Sequence, residues 1–290
     1  MPEGDTVFRA AAALHRALAG HPLTRAEVRW GTKSIPDVVG RPTLEVISRG
    51  KHILHRIDGG LTVHSHLRME GSWRVVPDER LRPRELHDPA IRALFAAAGR
   101  HAIGRRLGML DVLPTAQEDT LVGHLGPDLL GPDWDADRAI DALLADPRPI
   151  GEALLDQRLL AGIGTMYDAE TLFLERVAPW TPAGELGREV VTDVVRRAHR
   201  LLVQGKEHAI QSTTGSRRRG EEKYVHARSG RPCRRCGTTI RVAMIGPAPY
   251  DRTMFYCPSC QGGLGPTDDG ARQAPLGHRE TPTRRPGGYR

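Results

Sequence analysis

Two groups of residues in this 290-residue chain have types and spacing that suit chemistry. All four cysteines fall in one stretch as Cys233-x2-Cys236-x20-Cys257-x2-Cys260. Two C-x2-C knuckles each present a pair of thiolates from a tight turn, and together they complete a closed tetrahedral site for one structural Zn2+ ion. Redox, disulfide and iron-sulfur uses are the alternatives. Such a module binds nucleic acid, a protein partner or nothing in particular, so alone it leaves function open. The second group is the start of the chain, Met-Pro-Glu-Gly-Asp. With Met1 removed, Pro2 becomes a terminal secondary amine. Terminal amines ionise near pH 7.7 to 8.0, so part of the population is neutral and nucleophilic, and attack on an anomeric carbon gives an iminium ion. Glu3 stands beside it to exchange protons with an opening sugar ring. Proline at position 2 is common, however, and by itself carries little weight.

Of 42 basic residues only Lys33, Lys51, Lys206 and Lys223 are lysine. Base bias in the genome explains such a ratio, but guanidinium cannot replace an amine in acid/base work, so each lysine is a candidate. The net charge of +7 is uneven, at +9 over residues 217–290 and −2 over the rest. The C-terminal part therefore faces polyanions. Hydrophobic residues make up 39% and charged residues 27%, ordinary globular values that exclude wholesale disorder. No run approaches the roughly 18 apolar residues of a membrane span, and no secretory signal opens the chain. A cytoplasmic protein that uses no membrane is expected.

The elements that must position these groups read as a multidomain α+β chain. Asp5 and Thr6 suit the cap of a helix whose apolar Val7, Ala10, Ala11, Leu14 and Leu18 recur at helical spacing, ending at Gly20. Short β-rich runs follow, including 44–48, 52–57, 61–64 and 73–76, which predict a β-sandwich with an N-terminal helix over residues 1–114. After a linker near 114–120, helical patterns at 137–145, 150–160, 165–175 and 189–204 predict a helical domain over 120–216. Residues 217–261 hold the cysteines, with strands at 239–245 and 253–256 forming a zinc-held hairpin. Residues 262–290, rich in Gly and Pro, are expected to be disordered.

Several strings in order, MPEGDTV, RGKHILHRI, VHSHLRMEGSW, LLDQRLLAGIGTMYDAETLF and the finger closing on CPSCQ, make residues 1–261 resemble the bacterial formamidopyrimidine-DNA glycosylase and endonuclease VIII family. The resemblance implies a bifunctional DNA glycosylase and AP lyase of base excision repair, acting through a Schiff base followed by β,δ-elimination. It implies that Pro2 is the nucleophile, Glu3 the acid/base residue and Lys51 a phosphate-holding, proton-assisting lysine. It makes Arg252 the finger arginine that grips phosphate, and Met69 the side chain that fills the space left by a flipped base. Residues 146–175 resemble the family's helix/two-turn/helix element. There the turn at Gly162, Ile163 and Gly164 is expected to bring free N–H groups of a helix start towards phosphate. Thr165 replaces the family's usual asparagine, which bears on DNA affinity, and Arg68 and Glu70 also depart from the usual residues. Leu159 and Leu160 read as helix packing, Gln157 either as helix packing or as part of the DNA-binding element, Glu170 equally as a lesion-site group or a helix carboxylate, and His64 and His66 as structural.

The MPEGDT start resembles the endonuclease VIII branch, and RGKH and LVGHLGPDLL its actinobacterial second type, which implies oxidised pyrimidines as substrates. The implied partner is damaged DNA, double-stranded and also single-stranded or bubble, bound by a nucleoid-associated monomer whose basic tail contacts repair or replication proteins. Two readings compete. One is a non-catalytic damaged-DNA-binding protein on the same scaffold. The other is a protein-interaction zinc ribbon joined to an unrelated enzyme.

Overall fold

The computed structural model describes residues 2–275. It begins with helix α1 (Gly4–Leu18), whose buried Val7, Ala11, Leu14 and Leu18 make one apolar stripe. The helix starts earlier than Asp5 and Thr6 suggest. Glu3 is its N-cap residue, and Asp5 lies buried in the first turn, where it accepts from the Tyr167 hydroxyl at 3.0 Å instead of capping.

Strands β1 (Arg25–Val28), β2 (Thr43–Arg49), β3 (His52–Ile57), β4 (Leu61–His66), β5 (Ser72–Pro77), β6 (Ile91–Ala97), β7 (Arg100–Arg105) and β8 (Met109–Pro114) follow. They pair into two antiparallel four-stranded sheets in the orders β1-β6-β7-β5 and β2-β3-β4-β8. The expected strands fall within β2 to β5. Val46, Ile53, Ile57 and Val63 of one sheet meet Ala93, Phe95 and Ala102 of the other, with Leu14 and Leu18 of α1 closing the core. This is the predicted sandwich with its helix.

The segment near 114–120 is tied down. Helix α2 (Asp119–Val122) begins there. Buried Glu118 accepts from Arg56 Nη2 at 2.6 Å and from the Thr62 hydroxyl at 2.5 Å, which anchors the junction to the sheet. Beyond it lie α3 (Ala136–Ala145), α4 (Ile150–Ala153), α5 (Thr165–Leu174) and α6 (Ala183–Lys206) around a core that includes Leu143, Leu160, Phe173, Val194 and Leu202. The helical pattern at 150–160 yields only the single turn of α4. Asp156 then accepts from the Arg158 N–H at 3.0 Å, and the Gln157 side chain takes the Gly162 N–H at 3.0 Å, holding the chain in the two-turn shape.

Strands β9 (Arg241–Ile245) and β10 (Arg252–Tyr256) form the predicted hairpin. The expectation of disorder from residue 262 fails for its first part. Residues 262–275 fold back on the hairpin: Asp268 pairs with Arg241 and accepts from the Tyr256 hydroxyl at 2.6 Å, while the Gln273 amide exchanges two 2.8 Å bonds with the Val242 backbone. Polar anchors hold this segment, which a composition rule based on apolar burial does not register. The remainder, 276–290, lies outside the described residues.

Candidate active site

The site is built where the start of the chain meets α5. Gly4 donates to the Gly162 carbonyl at 2.8 Å, and a Cβ on Gly4 would sit 2.9 Å from that oxygen, so the Gly after Glu3 is a requirement of close approach. This contact delivers the fully buried Glu3 carboxylate to the first turn of α5. It accepts from the N–H groups of Gly164 at 2.8 Å, Met166 at 2.8 Å and Tyr167 at 3.3 Å. A helix N-terminus with unpaired donors favours an anion, and here Glu3 is that anion.

The result corrects the expectation of free N–H groups awaiting phosphate. Three of the donors near the two-turn segment are already taken by the chain's own carboxylate. Gly164 serves as the N-cap of α5 and leaves room for Glu3, since a Cβ there would lie 2.6 Å from the Glu3 carboxyl carbon. Thr165 follows as a buried residue of the first turn.

Pro2 is half-buried and lines an open cleft of about 400 Å³ together with Thr6, Arg9, Gln211, Glu222 and Lys223. Asp5 binds one wall in place, accepting from Gln211 Nε2 at 2.8 Å. Glu170 accepts from the Thr213 hydroxyl and from the N–H groups of Tyr224, Val225 and His226 at 2.7 to 2.8 Å. The ambiguous carboxylate is thus an internal anchor for the 213–226 loop that borders the cleft.

Lys51 sits on the turn between β2 and β3. Buried Asp128 fixes that turn by accepting the Gly50 N–H at 2.7 Å. Burial lowers the Lys51 ammonium pKa against the pull of Glu3 and Asp168, and Arg252 lowers it further, which places the finger arginine within electrostatic reach of Lys51. Burial raises the Glu3 carboxyl, opposed by Lys51 and by its backbone donors. An amine and an acid are thereby moved towards each other's protonation range, the arrangement expected where protons change hands.

Two further candidates lie on exposed elements. Met69 is 64% exposed on the turn after β4, where Arg68 adopts a left-handed φ of 51° and donates its N–H to His66 Nδ1 at 2.9 Å. Arg252 opens β10, its guanidinium folded onto the carbonyls of Tyr250 and Asp251. The histidines form a chain: His52 Nδ1 lies 2.8 Å from His64 Nε2, and His64 Nδ1 lies 3.1 Å from Asp111. Their burial and hydrogen bonds agree with a structural role. Sequence reading missed Asp128, Asp168, Asp5 and Gln211, because a single acidic or amide residue carries no spacing signal.

The four cysteine sulfurs lie within 4.8 Å of one another. Sulfurs about 2.3 Å from one zinc stand about 3.8 Å apart at tetrahedral corners. The Cys236–Cys257 and Cys260–Cys236 separations of 3.5 and 3.6 Å suit such a cage and are far beyond a disulfide bond. The Gln261 side chain ties this cage to the helical domain by donating to the Val177 carbonyl at 2.9 Å. The cluster can hold a metal ion.

Comparison with known proteins agrees with this geometry. The formamidopyrimidine-DNA glycosylase N-terminal domain model matches residues 1–110 and the corresponding H2TH domain model residues 125–217. The chain is 50% identical to the "Probable endonuclease 8 2" of Streptomyces coelicolor over 93% of its own length and 97% of that protein. It is 44% identical to a DNA-(apurinic or apyrimidinic site) lyase of Mycolicibacterium smegmatis, over 90% and 99%. The crystal structure of the Thermus thermophilus MutM (Fpg) protein matches with a TM-score of 0.72 at 27% identity, covering 91% of this chain and all of that one. A Lactococcus lactis formamidopyrimidine-DNA glycosylase bound to AP-site DNA shares the fold, with a TM-score of 0.73 at 22% identity over 90% and 100%. With its first helix sewn to the two-turn segment and its four sulfurs gathered at the far end, the chain belongs to the formamidopyrimidine-DNA glycosylase and endonuclease VIII family.

Proposed function

We propose that this protein is a DNA glycosylase and AP lyase of base excision repair, with Pro2 as its nucleophile and oxidised pyrimidines as its preferred lesions. The observation that carries the reading is the Glu3 seat: a buried carboxylate, held by three backbone donors at a helix start, next to Pro2, which opens on a cleft. In this reading the neutral Pro2 nitrogen attacks C1′ of the damaged nucleotide. The C1′–N bond forms, the glycosidic bond breaks, and the base leaves with the bonding pair. The Glu3 carboxylate takes the proton that the attacking amine sheds and delivers it to the ring oxygen as the sugar opens. The iminium ion acidifies the neighbouring sugar carbon, and loss of that proton expels the 3′ phosphate, then in a second elimination the 5′ phosphate. Lys51 and Arg252 hold phosphates, with Gly164 and Thr165 at the DNA-facing turn, and Met69 enters the space of the flipped base. The 50% and 44% identical relatives support the activity, and the MPEGDT start supports the pyrimidine preference. One zinc ion on Cys233, Cys236, Cys257 and Cys260 would cross-link the finger that presents Arg252; it supplies structure and takes no chemical step. The protein acts as a monomer on duplex, bubble or single-stranded DNA near the nucleoid, and the basic segment 276–290 contacts other repair or replication proteins. No helix among the described residues is long and apolar enough to cross a membrane.

The test is borohydride trapping on an abasic-site oligonucleotide after mass spectrometry verifies removal of Met1. Wild type should give a covalent adduct that Pro2→Thr loses. A free Pro2 with tight DNA binding and no adduct would favour the non-catalytic damage binder. Excision of thymine glycol or 5-hydroxyuracil faster than 8-oxoguanine opposite cytosine is the expected lesion order, and the reverse order would refute the pyrimidine preference.

A further inference from the structure

Asp168 lies four residues beyond Gly164 on α5 and donates its N–H to the Gly164 carbonyl at 2.9 Å. Its side chain is 0% exposed, and neither carboxyl oxygen has a hydrogen-bond partner among the described residues. The hydroxyl of Thr171, three residues further along the same helix, is likewise buried without a partner. Nearly all buried polar groups in folded proteins are paired, so a carboxyl with both oxygens unpaired calls for a functional account.

The charged groups facing Asp168 are Glu3 and Lys51, with Arg252 acting on Lys51 from the finger. Two buried acids thus lie within electrostatic reach of one half-buried amine. Glu3 has three backbone donors and the positive end of α5, whereas Asp168 has neither. Hydrogen bonding stabilises the charged form at Glu3, and burial without donors stabilises the neutral form at Asp168. Burial, then the Glu3 charge, push the Asp168 carboxyl well above the ordinary carboxylate range, against the opposing pull of Lys51.

We propose that Asp168 is a positioning residue for Lys51, held as a neutral acid so that the ammonium faces one carboxylate and not two. The proposal rests on the reading of Lys51 as a phosphate-holding, proton-assisting group. When Asp168 loses its proton to solvent, a second anion acts on Lys51. The amine is then held by two carboxylates and is less available to a phosphate.

The experiment is single-turnover cleavage of an abasic-site oligonucleotide across pH by wild type and Asp168→Asn, whose amide has the carboxyl's shape and never ionises. Limbs due to Pro2 and DNA are common to both proteins and cancel in the ratio of rates. The ratio of variant to wild type should climb with pH, by up to tenfold per unit above the ionisation of Asp168. A ratio constant at every pH overturns the proposal, whatever its value. Asp168→Ser replaces the Asn variant if the latter misfolds. An infrared difference spectrum of wild type at pH 7 should carry a protonated carboxylic-acid band that either variant lacks, and absence of that band from wild type also overturns it. Because this band needs no turnover, it reports on Asp168 even if borohydride trapping were to refute the Pro2 chemistry.

Discussion

Replacing Gly164 by alanine tests the Glu3 seat without touching a charged group. The backbone at Gly164 has a φ of −134°, which alanine adopts freely, so the perturbation is steric. The new Cβ would lie 2.6 Å from the Glu3 carboxyl carbon and 2.8 Å from Oε1. Ordinary contact needs about 1 Å more, and the backbone donors of α5 are fixed, so Glu3 must yield. Its 2.8 Å bonds from Gly164 and Met166 then stretch beyond hydrogen-bond range. Bonds to a charged group contribute about 1.5–3 kcal/mol each, and a carboxyl deprived of donors takes a proton sooner than remain an unpaired anion. The net loss of stability should be roughly 2–4 kcal/mol. A misplacement of about 1 Å in a catalytic group costs on the order of a hundredfold in rate. The assay is single-turnover excision and borohydride trapping, with circular dichroism at the assay temperature to verify folding. A folded Gly164→Ala protein that excises and traps at the wild-type rate would refute the claim that this seat positions the acid/base residue.

Arg252→Ala should weaken binding to all DNA sequences alike and reduce the slope of log affinity against log salt by about 0.9, the value for one lost phosphate contact; an unchanged slope would remove Arg252 from the phosphate contacts. Metal analysis should find one zinc per chain, and its removal by chelator should abolish hydrogen-exchange protection in β9 and β10 while α1 and the sandwich keep theirs; protected strands in metal-free protein would contradict a structural role. His55 is buried beside Phe95 and Thr43, and burial lowers its pKa from 6.5 to about 3. A depressed pKa in the fold contributes stability that is full above about pH 6.5 and is lost towards pH 3, at about 1.4 kcal/mol per unit. Denaturant titrations should therefore show a shallower acid loss in His55→Leu, and parallel pH curves for the two proteins would disprove this.

Much of the framework was legible because it rests on periodicity and spacing. The helical stripe from Val7 to Leu18, the β-rich run 52–57 and the C-x2-C knuckles each state their structure locally. The site was legible in part. Pro2, Glu3 and Lys51 announced themselves through string resemblance, but the role of Gly164 did not, because the need for a glycine arises from a carboxylate 161 positions away. Asp128 and Asp168 were invisible for the same reason: burial is a property of the assembled fold, and a lone aspartate in a helix reads as a solvated charge. Asp5 misled, since a residue well suited to cap its own helix was used to receive a tyrosine from another. The tail misled through composition, because Asp268 and Gln273 do by pairing what the rule expects of apolar side chains.

The stitching of residues 3–5 to residues 162–211 has a consequence in time. A ribosome releases the amine end first, yet the partners that seat it come 161 positions later for Glu3 and 206 later for Asp5. At synthesis rates of about 5–20 residues per second, the start of the chain waits roughly eight to forty seconds for the segments that seat Glu3 and Asp5. During that interval α1 can lie on the completed sandwich through Leu14 and Leu18, but Glu3 and Asp5 lack their partners from the later segment. An incomplete copy, stalled before the two-turn segment, carries Pro2 without a seated Glu3, so under the proposed mechanism competence for cutting DNA arrives only when the middle of the chain has been made.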